Sequence, residues 1–176
     1  MTLVKLILPW EFCLKKITKK LIRMDKKIFD MYSLRRISLT DLQNMYVHSF
    51  GERVRTLITE NNIQFEAEEL VDIQVNRELV ELIGNCSEKH LYIWSSNTRP
   101  IISEILTKLK LIHKFEKIVT REDVSLLKPN PEGFTIINKD IYTSLNHFLL
   151  IGNSSNDSQA AKAAKIDFLL IDHFKS

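Results

Sequence analysis

The second half of the chain alternates short, uniformly apolar runs with amphipathic stretches of helix length, and this alternation restricts the fold more than any other feature. Four runs read as buried strands: "LYIW" (Leu91 to Trp94), "KIVT" (Lys117 to Thr120), "FLLIG" (Phe148 to Gly152) and "FLLID" (Phe168 to Asp172). A fifth, "LVKLIL" (Leu3 to Leu8), opens the chain. Runs without polar alternation suit strands covered on both faces. Between them, "RPIISEILTKLKLI" (Arg99 to Ile112) puts Ile101, Ile105, Leu106, Leu109 and Ile112 on one helical face, with Lys108 and Lys110 opposite. Pro100 suits a first helical turn. "NPEGFTIINKDIYTSL" repeats the device, with Asn130 as the expected cap. Strand and helix in units of this length predict an α/β fold, a doubly wound parallel sheet with helices on both faces.

The interval between the first strand and the second has a different texture. From about Lys15 to about Val75 the period is helical and no strand is expected; Thr40 and Asp41 form a plausible cap before Leu42, Met45, Tyr46 and Phe50. A helical insertion is more economical than a separate domain, because both flanks would otherwise lose their sheet partners. The expected organisation is therefore a discontinuous α/β core, 1–15 and 76–176, with a helical cap at 16–75 inserted after the first strand.

A chain of 176 residues with 44% hydrophobic and 27% charged composition can bury one real core, and disorder throughout is excluded. The net charge of +3 is uneven: residues 1–36 hold ten Lys and Arg against three acids. Such runs are usually solvated helix faces, so nucleic acid is not expected, while a protein partner could use the cap or this basic front. Cys13 and Cys86 lack CxxC spacing and suit reduced thiols. Lys5, Pro9 and Glu11 interrupt the opening apolar run, which argues against a signal peptide, and no stretch approaches the roughly 18 apolar residues of a membrane span. A cytoplasmic chain without membrane contact is expected. The histidines, including His48, His90 and His147, show no ligand spacing.

In a sheet of this kind ligands gather at the carboxyl ends of the strands. The segments there are "SSNTRP", "REDVSLLKPNP" and "GNSSNDSQAA". Ser96 and Asn97 could donate to phosphate oxygens, Lys128 could neutralise their charge, and Asp157 could offer a hard cation an oxygen. Each also has a plainer role: Ser96 satisfying a strand end, Lys128 as a turn lysine, Asn153 as a turn residue, Asp157 capping the following helix.

Taken in order and spacing, "WSSNTRP", "LLKPNPEGF" and "IGNSSNDSQAAKAAKI" resemble the second, third and fourth motifs of the haloacid dehalogenase-like (HAD) superfamily, over about Asn76 to Asp172. The resemblance implies a Rossmannoid core with a small helical cap, and phosphoryl transfer from a small phosphorylated molecule through an aspartyl intermediate, usually with Mg2+. It places Ser96, Asn97 and Lys128 at the phosphate and makes Glu11, Asn153 and Asp157 the metal positions. The family's first motif, two aspartates one residue apart, falls on Pro9 and Glu11, with Cys13 at the usual Thr. Proline offers no nucleophilic atom, so the covalent route is closed at that position. Asn153 also replaces a carboxylate, so metal binding is expected to be weak. Asp30, in "KKIFDMYS", is a poor substitute nucleophile because Tyr32 stands where a second acid is needed. Two readings follow: an impaired hydrolase fold that binds a ligand or a protein partner, or a divergent hydrolase using water activated by Glu11 or Asp157.

Overall fold

The structure, a computed structural model, describes residues 4–7, 17–34, 36–69, 72–87, 90–139, 141 and 143–171, with residues 4–7 described by backbone alone. Among the described residues, strands β1 (Val4–Ile7), β2 (Asp72–Val75), β3 (Tyr92–Trp94), β4 (Lys117–Val119), β5 (Leu149–Gly152) and β6 (Asp167–Leu170) are interspersed with eight α-helices. The helices are α1 (Thr18–Met24), α2 (Lys26–Ser33), α3 (Leu39–Phe50), α4 (Glu52–Glu69), α5 (Arg77–Asn85), α6 (Arg99–Lys108), α7 (Glu132–Asn138) and α8 (Ser155–Ala164).

The four expected strands of the second half form two parallel pairs, β3 with β4 and β5 with β6. Helices cover both faces of them. On β3, Ile93 enters a core with Leu79 and Ile83 of α5 and Ile101, Ile102, Ile105 and Leu106 of α6. Its neighbour Trp94 enters another with Phe134 and Ile137 of α7 and Ala160, Ala161 and Ala164 of α8. Adjacent strand residues point to opposite faces, so a strand that feeds two cores must be apolar at consecutive positions. That is why the β3 run has no polar alternation. The fold is an α/β core with a helical cap, the arrangement that the resemblance implies.

The cap consists of α1 to α4, which share a core of Leu21, Ile28, Leu42, Tyr46, Val54 and Ile58. Tyr46 ties α3 to the front of the cap: its hydroxyl donates to the carbonyls of Leu21 and Asp25. Its pKa is pushed up to about 12, mainly by burial, with the charges of Asp25 and Asp30 adding to the effect. Helix α3 starts two residues earlier than the expected cap: Ser38, not Thr40, is the N-cap, in a capping box with Asp41. Likewise Pro131 occupies the cap position of α7, while Asn130 contributes by accepting from the Glu132 amide at 3.0 Å.

Two expectations about the first strand are corrected. The stretch 15–75 does contain a strand, β2, and β1 pairs with it antiparallel, Val4 opposite Val75 through Ile7 opposite Asp72. Among the described residues the opening strand is thus paired with the end of the cap segment and not with the parallel strands. Four residues, "DIQV", are too few for a period of two to be distinguished from a helical one, and an apolar run carries no information about strand direction or partner.

Candidate functional site

The two parallel pairs meet through one lysine. Lys128, in the loop after β4, is 7% exposed, and its ammonium donates to the Trp94 carbonyl at the end of β3 (3.0 Å) and to Asp157 Oδ1 at the start of α8 (2.6 Å). The same nitrogen lies 5.5 Å from the centre of the Trp94 ring, within cation–π range. The Lys128–Pro129 peptide is cis. Trp94 is seated close against α7, where a Cβ on Gly133 would lie 2.1 Å from the indole nitrogen, so only glycine fits there.

Asp157 does two jobs with its two oxygens. Oδ1 takes the lysine. Oδ2 accepts from the backbone amides of Asn153 and Ser154 and from the Ser154 hydroxyl (2.6 Å), while Ser154 Oγ accepts from the Asp157 amide, completing a capping box for α8. Burial alone would raise the pKa of this carboxyl. The Lys128 charge and the hydrogen bonds from Lys128 and Ser154 outweigh it and hold the pKa below its ordinary value. Gly152, just before the turn, allows this approach: a Cβ there would come within 2.5 Å of Asp157 Cβ. The plainer role foreseen for Asp157, helix capping, is present together with the ion pair.

Ser96 and Asn97 lie in the loop after β3, beside the Trp94 carbonyl that holds Lys128. Here the serine that satisfies backbone is Ser95, whose Oγ accepts from the Asn97 amide at 3.1 Å. Ser96 and Asn97 offer their carbonyls to Arg121: its Nε donates to Ser96 O, and its backbone amide to Asn97 O. Asp30 sits on α2, 4.0 Å from Lys26, as an ordinary helix acid. Pro9, Glu11 and Cys13 lie outside the described residues.

Several residues that shape this crevice were not foreseen. Arg121, buried in a short 3-10 turn (Arg121–Asp123), reaches Gln43 Oε1 on α3 with both terminal nitrogens. Asn44 makes a reciprocal pair with the backbone of Leu127, donating to its carbonyl and accepting from its amide, both at 2.8 Å, next to Lys128. Glu66 of α4 is 1% exposed and accepts from the Thr98 amide and hydroxyl at the start of α6. Burial raises its pKa, against the lowering effect of the Thr98 bonds and the Arg121 charge. Arg121 directly follows a strand end, a position that could have been weighed with Lys128. Gln43 and Glu66 carry no comparable signal, since nothing in an amphipathic pattern shows which polar residue is turned inward.

A buried ammonium, paired with the Asp157 carboxylate, stands at the tips of two strand pairs beside the Ser96 and Asn97 loop. The described residues do not by themselves make a magnesium site. Among the described residues no three His, Cys, Asp or Glu side chains converge to hold an ion. Asn153 is neutral, the Asp157 oxygens accept from Lys128 and Ser154, and Glu11, the other expected metal position, lies outside the described residues. Among the described residues, no helix is long and apolar enough to cross a membrane.

Comparison with known proteins accords with this architecture. Residues 9–171 match the family model described as haloacid dehalogenase-like hydrolase. A phosphoglycolate phosphatase from Salmonella choleraesuis is 30% identical over 80 residues, 46% of this chain and 32% of that protein. The Escherichia coli K12 phosphoglycolate phosphatase is 31% identical over 65 residues, 37% and 26% of the two chains. The matched part thus spans about a third or less of these relatives' length. Among solved structures, a haloacid dehalogenase-like hydrolase from Bacteroides fragilis aligns with a TM-score of 0.61 at 19% identity, over 90% of this chain and 75% of that one. A HAD hydrolase from Bacillus subtilis bound to magnesium aligns with a TM-score of 0.53 at 17% identity, over 93% and 78%. With the family model covering nearly the whole chain and the fold shared with these structures, the protein belongs to the haloacid dehalogenase-like hydrolase family.

Proposed function

We propose that this protein binds a small phosphorylated molecule at the Ser96, Asn97 and Lys128 crevice on a phosphatase scaffold, and that it is impaired in the family's covalent reaction. The observation that carries this reading is the buried Lys128 ammonium, held at the strand tips by the Trp94 carbonyl and Asp157. A phosphate dianion arriving there would share the Lys128 ammonium with Asp157 in a water-poor setting, where charge-assisted hydrogen bonds are strongest. The likeness to phosphoglycolate phosphatases supports a small phosphorylated acid as the ligand class. Impairment follows from Pro9 at the nucleophile position of the resemblance and from Asn153, which removes a carboxylate from the metal shell. Magnesium binding is accordingly weak in this reading, and Glu11 is the remaining acid that could assist it.

The test is an aryl phosphate hydrolysis assay with and without magnesium, comparing the chain as it stands with Pro9→Asp. Absence of turnover in the first and appearance of turnover in the second is the expected result. Magnesium-dependent turnover already present in the unaltered chain would overturn the impairment.

A second reading, a non-catalytic role in binding a protein partner, is favoured by the exposed side chains of Lys19, Lys20, Arg23, Lys26 and Lys27 on α1 and the start of α2. They form a basic face suited to an acidic partner. Capture of such a partner should depend on these residues and be indifferent to Lys128→Ala.

A further inference from the structure

The loop after β3 is held from behind, and Arg121 is the group that ties it to the cap. Arg121 is 6% exposed. Its Nε donates to the Ser96 carbonyl at 3.0 Å, and its backbone amide donates to the Asn97 carbonyl at 3.2 Å. The terminal nitrogens donate to Gln43 Oε1 at 3.2 and 3.3 Å, so one planar group spans from the loop to α3. Other groups of the loop are engaged as well. The Ser95 amide donates to the Val119 carbonyl, Ser95 Oγ accepts from the Asn97 amide, and the Thr98 amide and hydroxyl donate to Glu66. Within the described residues, the donors this leaves to the loop are the Ser96 amide and hydroxyl and the Asn97 side-chain amide, on two residues that are only half-buried.

Building on the phosphate binding proposed for the Lys128 crevice, we infer that Arg121 is a positioning residue for the Ser96 and Asn97 loop, and that Gln43 makes its hold depend on the cap. A phosphate is acceptor-only, so a loop that turns its carbonyls toward the ligand repels it and one that turns its donors there binds it. Arg121 takes two consecutive carbonyls, Ser96 through its side chain and Asn97 through its backbone, and the donors are what remains on offer. Lysine is no substitute: an ammonium on a flexible stem lacks the fixed fork that reaches the Ser96 carbonyl and Gln43 together. In this role Arg121 acts through the shape of the loop and not by touching the ligand.

The test is an NMR titration of the 15N-labelled full chain with inorganic phosphate, in the parent, Arg121→Lys and Gln43→Met. Arg121→Lys keeps the charge and loses the fork. It should move the Ser96 and Asn97 amide signals before phosphate is added, and weaken phosphate binding about tenfold. Gln43→Met leaves Arg121 and its loop contacts in place but removes the acceptor on the cap, and should move the same signals and weaken binding about threefold. Methylguanidinium, added well below denaturing concentrations, should restore much of the affinity lost in Arg121→Ala, which a general packing defect would not allow. Amide dispersion and melting temperature establish folding. Parental affinity in Arg121→Lys overturns the role, because charge alone then suffices. Where Arg121→Lys does not fold, Gln43→Met decides: unmoved Ser96 and Asn97 signals with parental affinity overturn it equally. A parent that shows no saturable phosphate shift overturns the phosphate reading and this role together, whereas parental binding retained by every variant overturns the role alone.

Discussion

Two buried carboxylates, one in the core crevice and one at the cap boundary, cap helices in the same way and yet are driven in opposite directions. Asp157 caps its own helix, α8, and Glu66 reaches from α4 to the start of α6 at Thr98. Both lose hydration to a similar degree. The pKa of Asp157 is lowered and that of Glu66 is raised. What differs is the second oxygen: on Asp157 it meets an ammonium at 2.6 Å, while Glu66 Oε1 has no hydrogen-bond partner among the described residues. Helix capping does not by itself keep a buried acid ionised. A countercharge in contact does, and the core crevice has one.

The largest expected effect comes from removing that countercharge. Lys128→Met keeps most of the stem volume but leaves Asp157 buried and unpaired, a situation that costs about 3–5 kcal/mol. Chemical denaturation should show the loss as a lower midpoint. The double variant Lys128→Met with Asp157→Leu removes both charges and should recover most of it, short of the roughly 1 kcal/mol of the lost cap. A double variant as unstable as the single one would mean that the pair is not the source of the effect. Acid titration reads the same contact. Because the folded pKa of Asp157 lies below its ordinary 3.8, its contribution is present above that pH and is lost as pH falls through the folded value.

Gly152→Ala comes next. The added methyl would sit 2.5 Å from Asp157 Cβ, and the neighbouring atoms are a strand end and a helix start that cannot both yield. Overpacking of this kind costs about 1–3 kcal/mol. If the unfolding midpoint is unchanged, the close approach of β5 to α8 is not what holds Asp157 in place.

How much of this could be read from the sequence follows the same division. The four strands of the second half, and the loops that bring Ser96, Lys128 and Asp157 to one edge, were legible because each is a local pattern: an apolar run, a turn, a cap. Lys128 and Asp157 were singled out separately, but their contact was not, since residues 29 apart in sequence meet only through packing. At the cap boundary the legible part ends. Gln43, Asn44 and Glu66 are polar residues on amphipathic helices, a class normally turned to solvent, and here they face the core because tertiary partners at Arg121, Leu127 and Thr98 receive them. The direction of β1 was illegible for a related reason: an apolar strand fits a parallel or an antiparallel partner equally well, and β2 decided it.

Asn44→Ala tests how firmly the cap is docked. It removes two hydrogen bonds to Leu127 and leaves a partly buried amide and carbonyl to find water, a loss of about 1–2 kcal/mol. Because Leu127 precedes Lys128, the same variant should broaden the NMR signals of the lysine loop while leaving those of α8 sharp. Equal broadening in both would argue that the cap does not position this loop.

Glu66→Gln should have the smallest effect and the most informative sign. The amide oxygen can keep both Thr98 contacts, and the amide group carries no charge to be desolvated. Because the folded pKa of Glu66 is raised by burial, its contribution to stability is full below the ordinary 4.5 and is lost as pH rises through the folded value. The variant should therefore be as stable as the parent or more stable at neutral pH, by under about 1 kcal/mol, and that advantage should vanish as the solution is acidified below the usual carboxylate range. Measured against Asp157, whose stabilisation has the opposite pH dependence, this isolates the countercharge as the variable. A Glu66→Gln variant markedly less stable than the parent at neutral pH would show that the cap acid, too, is held ionised by a cation, and the contrast between the two sites would not stand.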